Sequence, residues 1–253
     1  MNSLDSLQLK AVDTSVFILA AGRGERMRPL TDSLPKPLLK VGDQSLLEHH
    51  LTRLQKMGFQ HIIINIAHLG EKIQHQIGNG ANYGLCIEYS DERDTGALET
   101  AGGIGKALNR IRSDYFLCLN ADIWTDFDFL QLLTARTQAG TIVLVNNPPH
   151  NNSGDFAVSN SKHKTQPLLA ERPSPRAEQS TYTFSGIGLY AKTLFINLPA
   201  GKQRLAPLLF QATDSQQLDA LIHQGTWLDI GTPQRLTQLN AGYSAINNEK
   251  TNS

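Results

Sequence analysis

Val16-Phe17-Ile18-Leu19-Ala20-Ala21-Gly22-Arg23-Gly24-Glu25-Arg26-Met27-Arg28-Pro29-Leu30-Thr31 is the stretch on which the fold turns. It opens with a short continuous apolar run closed by glycines, the pattern of a strand buried on both faces of a parallel sheet. The small residues that follow let backbone N–H groups approach an anion, and the arginines add charge-assisted donors for phosphate oxygens. A lone Gly-x-Gly also serves many strand-to-helix turns for backbone reasons alone. Two familiar nucleotide loops are excluded. The dinucleotide fingerprint fails because its third small position falls on Met27 and Pro29 blocks the helix, and the P-loop fails because no Gly-Lys-Ser/Thr is present.

Outward from this stretch the chain alternates. Leu47, Leu51, Leu54 and Met57 recur on one helical face that stops at Gly58, and His61-Ile62-Ile63-Ile64-Asn65-Ile66 reads as the next strand. A helix over 71–77, a strand over 85–89, a helix over 99–108 and a strand over 115–119 continue the pattern, with further strands over 141–145, 156–159 and 181–190. Such βαβ units predict a single Rossmann-like α/β domain, a mixed and mostly parallel sheet flanked by helices. The domain is placed at 15–243, with polar tails at 1–14 and 244–253, and the proline-bearing stretches 146–153 and 160–180 are read as loops.

Lys+Arg and Asp+Glu both total 23, a formal net charge of zero. That balance argues against a nucleic-acid or anionic-membrane partner, so the partners are small molecules, and a monomer is the simplest assembly. The zero divides locally: residues 22–40 hold five cations and two anions, and residues 120–128 hold three anions and no cation. Cys86 and Cys118, in apolar stretches, read as buried thiols of a reducing compartment. The apolar run at 16–21 is too short for a membrane span or a signal core, and the expected location is cytoplasmic.

Pro35-Lys36-Pro37 presents a lysine on a stiff, extended backbone, which suits a fixed cation. Together with Gly22-Arg23-Gly24-Glu25-Arg26-Met27-Arg28-Pro29-Leu30-Thr31 it resembles the signature of the sugar-1-phosphate nucleotidyltransferases, which join a nucleoside triphosphate to a sugar 1-phosphate. The resemblance implies that Ala21, Gly22, Gly24, Glu25 and Arg26 wrap the triphosphate. Arg26 and Lys36 would be the catalytic cations, neutralising charge as pyrophosphate leaves. Arg23 and Arg28 stay divided between that role and ordinary solvated arginines.

Asn120-Ala121-Asp122 follows the 115–119 strand, at the carboxyl end where open α/β sheets hold ligands. A carboxylate facing a basic loop suits Mg²⁺, which takes one or two carboxylates plus phosphate oxygens, although such an Asp also serves as a turn or cap residue. By resemblance Asp122 and Asp229, the latter in Trp227-Leu228-Asp229-Ile230-Gly231-Thr232-Pro233, are the metal pair; Thr232-Pro233 also reads as a helix cap. Leu98-Glu99-Thr100-Ala101-Gly102 resembles the family's base-contacting segment, with Glu99 where many relatives have Gly, and implies nucleotide contacts at Thr100 and Gly102. The sugar side is implied at Asn120, Asp155, Gly186, Glu171 and Arg172. Among the family's branches, the resemblance favours the one that transfers uridylyl from UTP to N-acetylmuramate α-1-phosphate. Mannose-1-phosphate guanylyl or glucose-1-phosphate thymidylyl transfer is the alternative, and a silent sugar-nucleotide-binding subunit is disfavoured by the joint presence of Arg26, Lys36, Asp122 and Asp229. A nicotinamide-dependent oxidoreductase is disfavoured by the missing third glycine.

Overall fold

In the computed structural model, residues 9–134, 138–159, 168–173 and 180–251 are described. The elements run β1 (Val16–Leu19), β2 (Lys40–Val41), β3 (Gln44–Ser45), α1 (Leu46–Lys56), β4 (His61–Ile66), α2 (Gly70–Ile77), β5 (Cys86–Asp91), α3 (Glu99–Lys106), β6 (Tyr115–Asn120) and β7 (Ile123–Thr125). There follow β8 (Gly140–Val145), β9 (Phe156–Ser159), β10 (Leu168–Glu171), β11 (Thr181–Ala191), α4 (Leu205–Asp214), β12 (Leu218–His223), β13 (Trp227–Asp229) and α5 (Pro233–Thr251).

The apolar run that opened the sequence is a strand within the main sheet. Val16, Phe17 and Ile18 have no solvent exposure, and β1 lies parallel between β4 and β6. The main sheet is ordered β5-β4-β1-β6-β11-β8-β12-β10-β9, with β9 also pairing with β11. It is mixed, and less parallel than the alternation predicts: β5, β4, β1 and β6 are parallel, as are β8 and β12, while β11, β10 and β9 pair only antiparallel. Connection length accounts for part of this: parallel neighbours need a crossover of a dozen or more residues, and β9 and β10 are joined by fewer than that.

Two apolar layers cover the sheet. On one face α1 and α2 place Leu47, Leu51, Leu54, Ile73 and Ile77 against the alternate residues Val16 and Ile18; on the other, α3 and α4 set Ala101, Ile104, Leu205 and Leu209 around Phe17. Each fully buried Leu or Ile contributes roughly 1.5–3 kcal/mol, which is why the period-3.6 pattern is decisive. A capping box starts α1: Ser45 Oγ accepts from the Glu48 N–H, and the Glu48 carboxylate accepts from the Ser45 N–H.

Several expectations are corrected. Leu168–Glu171, inside the supposed 160–180 loop, is a strand, because Leu168-Leu169-Ala170 can cover the edge of β12 and buries Ala170. Residues 160–167 and 174–179 lie outside the described residues, as do 1–8. Residues 244–251 continue α5 instead of forming a tail, and 11–13 form a 3₁₀ turn. Cys118 is buried, but Cys86 is exposed, since it opens the edge strand β5 on its outer side. No described helix is long and apolar enough to cross a membrane.

Candidate active site

The glycine-rich loop leaves the carboxyl end of β1 and folds back on itself. Gly24 has φ +65°, and a Cβ there would lie 3.1 Å from Thr31 Cγ2 and 3.2 Å from Lys36 Cβ, so only glycine lets the two segments close on each other. Thr31 Oγ1 donates to the Gly24 carbonyl (2.8 Å) and buried Met27 roots the turn. The loop and the β6 end enclose a cavity of about 530 Å³ lined by Ala21, Gly22, Gly24, Glu25, Arg26, Lys36, Thr100, Asn120 and Asp122 among others. Lys36 is nearly buried and its ammonium pairs with Asp122.

Asp229 reaches the same region through the fold. β13 pairs with β7, placing Asp229 opposite Ile123, and the Ile230 N–H donates to the Asp122 carbonyl at 3.0 Å. The two aspartates therefore stand on adjoining backbones although far apart in sequence. Asp229 Oδ2 accepts from Arg235 Nη1 at 3.0 Å, with His150 Nε2 at 3.7 Å. A Cβ on Gly231 would lie 3.1 Å from Asp229 Oδ2, 3.2 Å from Arg26 Nη2 and 3.3 Å from Arg235 Nη1, so these three groups gather above that glycine. Thr232 and Pro233 do start α5, with Thr232 Oγ1 accepting from the Arg235 N–H at 3.4 Å.

Two residues unseen in the sequence tie the glycine-rich loop to the segment before α3. Asn65 Oδ1 accepts from the Ala20 N–H (2.7 Å), Asn65 Nδ2 donates to Glu92 Oε1 (2.8 Å), and Glu92 Oε2 accepts from the Leu98 N–H (2.8 Å). Glu92 has no exposure, and burial raises its carboxyl pKa above the usual value against the opposing pull of those hydrogen bonds. Asn65 left a signal, as the one polar residue near the end of an apolar run; Glu92 and Arg235 left none.

A second cavity, about 670 Å³, adjoins the first and shares Leu19, Glu99, Thr100 and Asn120 with it. Asn120, Asp155 and Gly186 line it. Gly186 has φ +80° and sits where β11 shifts register; a Cβ there would be 2.6 Å from Asn120 Nδ2. Asp155 is held in place by the Asn151 amide (3.1 Å) and the Phe184 N–H (2.8 Å).

Three expected residues are placed elsewhere. Glu171 lies on β10 opposite Ala157 and is not among the cavity's described lining. Arg172 forks onto Asp214 at 2.7 and 2.6 Å and stacks over Phe210, because Asp214 closes α4 beside it. Gly102 faces away from both cavities: its N–H donates to the Gln203 carbonyl at 3.1 Å, and a Cβ would be 2.3 Å from the Gly201 carbonyl oxygen.

The family model described as nucleotidyl transferase matches residues 15–245. The chain belongs to the nucleotidyl transferase family. Its relatives place it with the sugar-1-phosphate nucleotidyltransferases. It is 42% identical over 231 residues to the N-acetylmuramate alpha-1-phosphate uridylyltransferase of Neisseria meningitidis, covering 89% of this chain and 96% of that one. It is 26% identical to the mannose-1-phosphate guanylyltransferase of Mycobacterium tuberculosis, over 86% of this chain and 61% of that one. The crystal structure of HddC from Yersinia pseudotuberculosis with GMP-PN superposes with a TM-score of 0.72 at 18% identity, covering 91% and 99% of the two chains, which shows the shared fold.

For a nucleotidyl transferase the donor set fits a hard divalent cation. Asp122 lines the first cavity and Asp229 stands behind its lining residue Gly231, each now paired with a side-chain cation, Lys36 on Asp122 and Arg235 on Asp229. No cluster of three or more His, Cys, Asp or Glu groups suited to a metal occurs among the described residues. Mg²⁺ does not need one, since phosphate oxygens and waters complete its shell.

Proposed function

We propose that the chain transfers a uridylyl group from UTP to N-acetylmuramate α-1-phosphate, giving UDP-N-acetylmuramate and pyrophosphate. The observation that carries this reading is the 42% identity to a relative of that name over nearly the full length of both chains. The two adjoining cavities support it, since a transfer between two substrates needs two pockets that meet at the reacting atoms.

An oxygen of the sugar 1-phosphate attacks the α-phosphorus of UTP; the new P–O bond forms as the bond to the β-phosphate breaks and pyrophosphate leaves. Such transfer needs positioning and charge stabilisation and no covalent intermediate. The backbone of residues 21–26 wraps the triphosphate, and Arg26 and Lys36 stabilise the charge that develops toward pyrophosphate. Asp122 and Asp229 would hold Mg²⁺, which when bound neutralises and aligns the phosphates. Lys36 and Arg235, which pair with these two carboxylates, would be available to phosphate where a cation took their place. Thr100 stands at the base side, and Asn120, Asp155 and Gly186 form the wall facing the sugar. The reading carries with it a cytoplasmic location and a role in reusing cell-wall sugar.

The test is pyrophosphate release with Mg²⁺, pairing UTP, GTP and dTTP with the 1-phosphates of N-acetylmuramate, N-acetylglucosamine, mannose and glucose. The expected outcome is preferred turnover of UTP with N-acetylmuramate α-1-phosphate, reduced by at least about 10²–10³-fold in Asp122→Ala. Preferred turnover of GTP with mannose 1-phosphate would overturn it.

A further inference from the structure

The sugar-side cavity is lined by the apolar groups Phe156, Phe184, Leu209 and Phe210 and bears two carboxylates, Glu99 and Asp155. Among its described lining residues the one cation is Arg204, which directly precedes α4. Arg172, the cation the sequence offered for this side, is committed to Asp214. Arg204 is exposed and makes no ion pair or hydrogen bond among the described residues. Asp155, the acid expected to meet sugar hydroxyls, already accepts from Asn151 and Phe184.

A planar guanidinium without a partner at the wall of a partly apolar cavity suits two-point capture of a planar anion. The sugar's own phosphate is not that anion. It must reach the UTP α-phosphate, toward the shared edge at Leu19, Glu99, Thr100 and Asn120, whereas Arg204 lines only the second cavity. The anion therefore belongs to the body of the sugar. We propose that Arg204 is a specificity-determining residue that receives a carboxylate borne on the acceptor, so that the enzyme selects sugar-acid 1-phosphates over neutral hexose 1-phosphates. The assignment rests on the function proposed above: N-acetylmuramate carries a lactyl carboxylate, and mannose and glucose carry none. Glu99 and Asp155 sharpen the choice, because they repel a carboxylate that no cation meets.

The experiment compares two acceptors, N-acetylmuramate α-1-phosphate and its lactyl carboxamide, with the full-length chain, UTP and Mg²⁺. The wild type should favour the acid by about 10- to 100-fold in kcat/KM, mainly through KM. Arg204→Ala should bring that ratio close to one, and Arg204→Lys should fall between, since it keeps the charge but loses the fork. A thermal melt unchanged in Arg204→Ala removes misfolding as the cause. An acid-to-amide preference that survives in Arg204→Ala overturns the assignment while leaving the proposed function standing. A wild type that turns over no form of N-acetylmuramate 1-phosphate overturns both.

Discussion

Asp219 is a residue whose chemistry the chain bears at a cost. It lies on β12, 5% exposed, and burial lifts its carboxyl pKa from 3.8 to about 7. Because the folded pKa lies above the unfolded one, the folded state binds more protons between those values, and stability falls as pH rises from 3.8 to about 7. Asp219→Asn should remove this slope and gain on the order of 2–4 kcal/mol over wild type at pH 8 relative to pH 4. Parallel thermal melts of the two proteins check it; identical pH slopes would refute it. Glu99 is a second such residue, held at φ +62° on the wall shared by the two cavities. Glu99→Gly should keep or raise the melting temperature, since it relieves roughly 1 kcal/mol of backbone strain.

Among elements, the start of α3 and the glycine-rich loop act as one piece because Asn65 and Glu92 join them across three strand ends. Glu92 accepts from both Asn65 and the Leu98 N–H, so a glutamine of the same shape must turn its NH₂ toward one of two donors. Glu92→Gln should cost about 1–3 kcal/mol of stability and raise KM for the nucleotide more than it lowers kcat. Denaturant titration and steady-state kinetics measure the two effects, and a variant unaffected in both would remove the network from the account. The Ser45 capping box is a simpler case, local to α1. Ser45→Ala should cost about 1 kcal/mol, seen as a lower denaturation midpoint with turnover unchanged.

For the whole molecule, the question is what brings Asp122 and Asp229, the proposed metal pair, together. The ribbon of β7 and β13 carries Asp122 and Asp229 on its ends, and it is clamped from several directions. Trp227 Nε1 donates to the Ser185 carbonyl (2.9 Å), Arg53 Nη2 donates to the Phe127 carbonyl (2.7 Å), and Tyr243 of α5 meets Trp124 edge-on at 5.7 Å. Tyr243 also covers Gly42, where a Cβ would lie 2.5 Å from its ring. Tyr243→Ala should loosen α5 from the ribbon, costing about 2–4 kcal/mol and raising the Mg²⁺ concentration needed for half-maximal turnover. A metal titration unaltered in that variant would show that α5 only stabilises the fold.

Local periodicity determined much of this molecule. The β1 run, the Leu47-Leu51-Leu54 face and the Thr232-Pro233 start of α5 are legible because a continuous apolar run, a 3.6-residue apolar repeat and a cap are each written in neighbouring residues. The tight turn of the glycine-rich loop was legible too, as Gly22, Gly24 and the arginines fall within a few residues and their steric demands are local. Strand order, by contrast, leaves no periodic trace. Only the tertiary structure decided that β11 reverses beside β6, that the backbone at Asp229 arrives next to that at Asp122, and that Arg172 turns to Asp214 while Arg204 lines the second cavity. Each depends on which surfaces meet once the sheet is assembled, a matter of long-range packing that no short window of sequence contains.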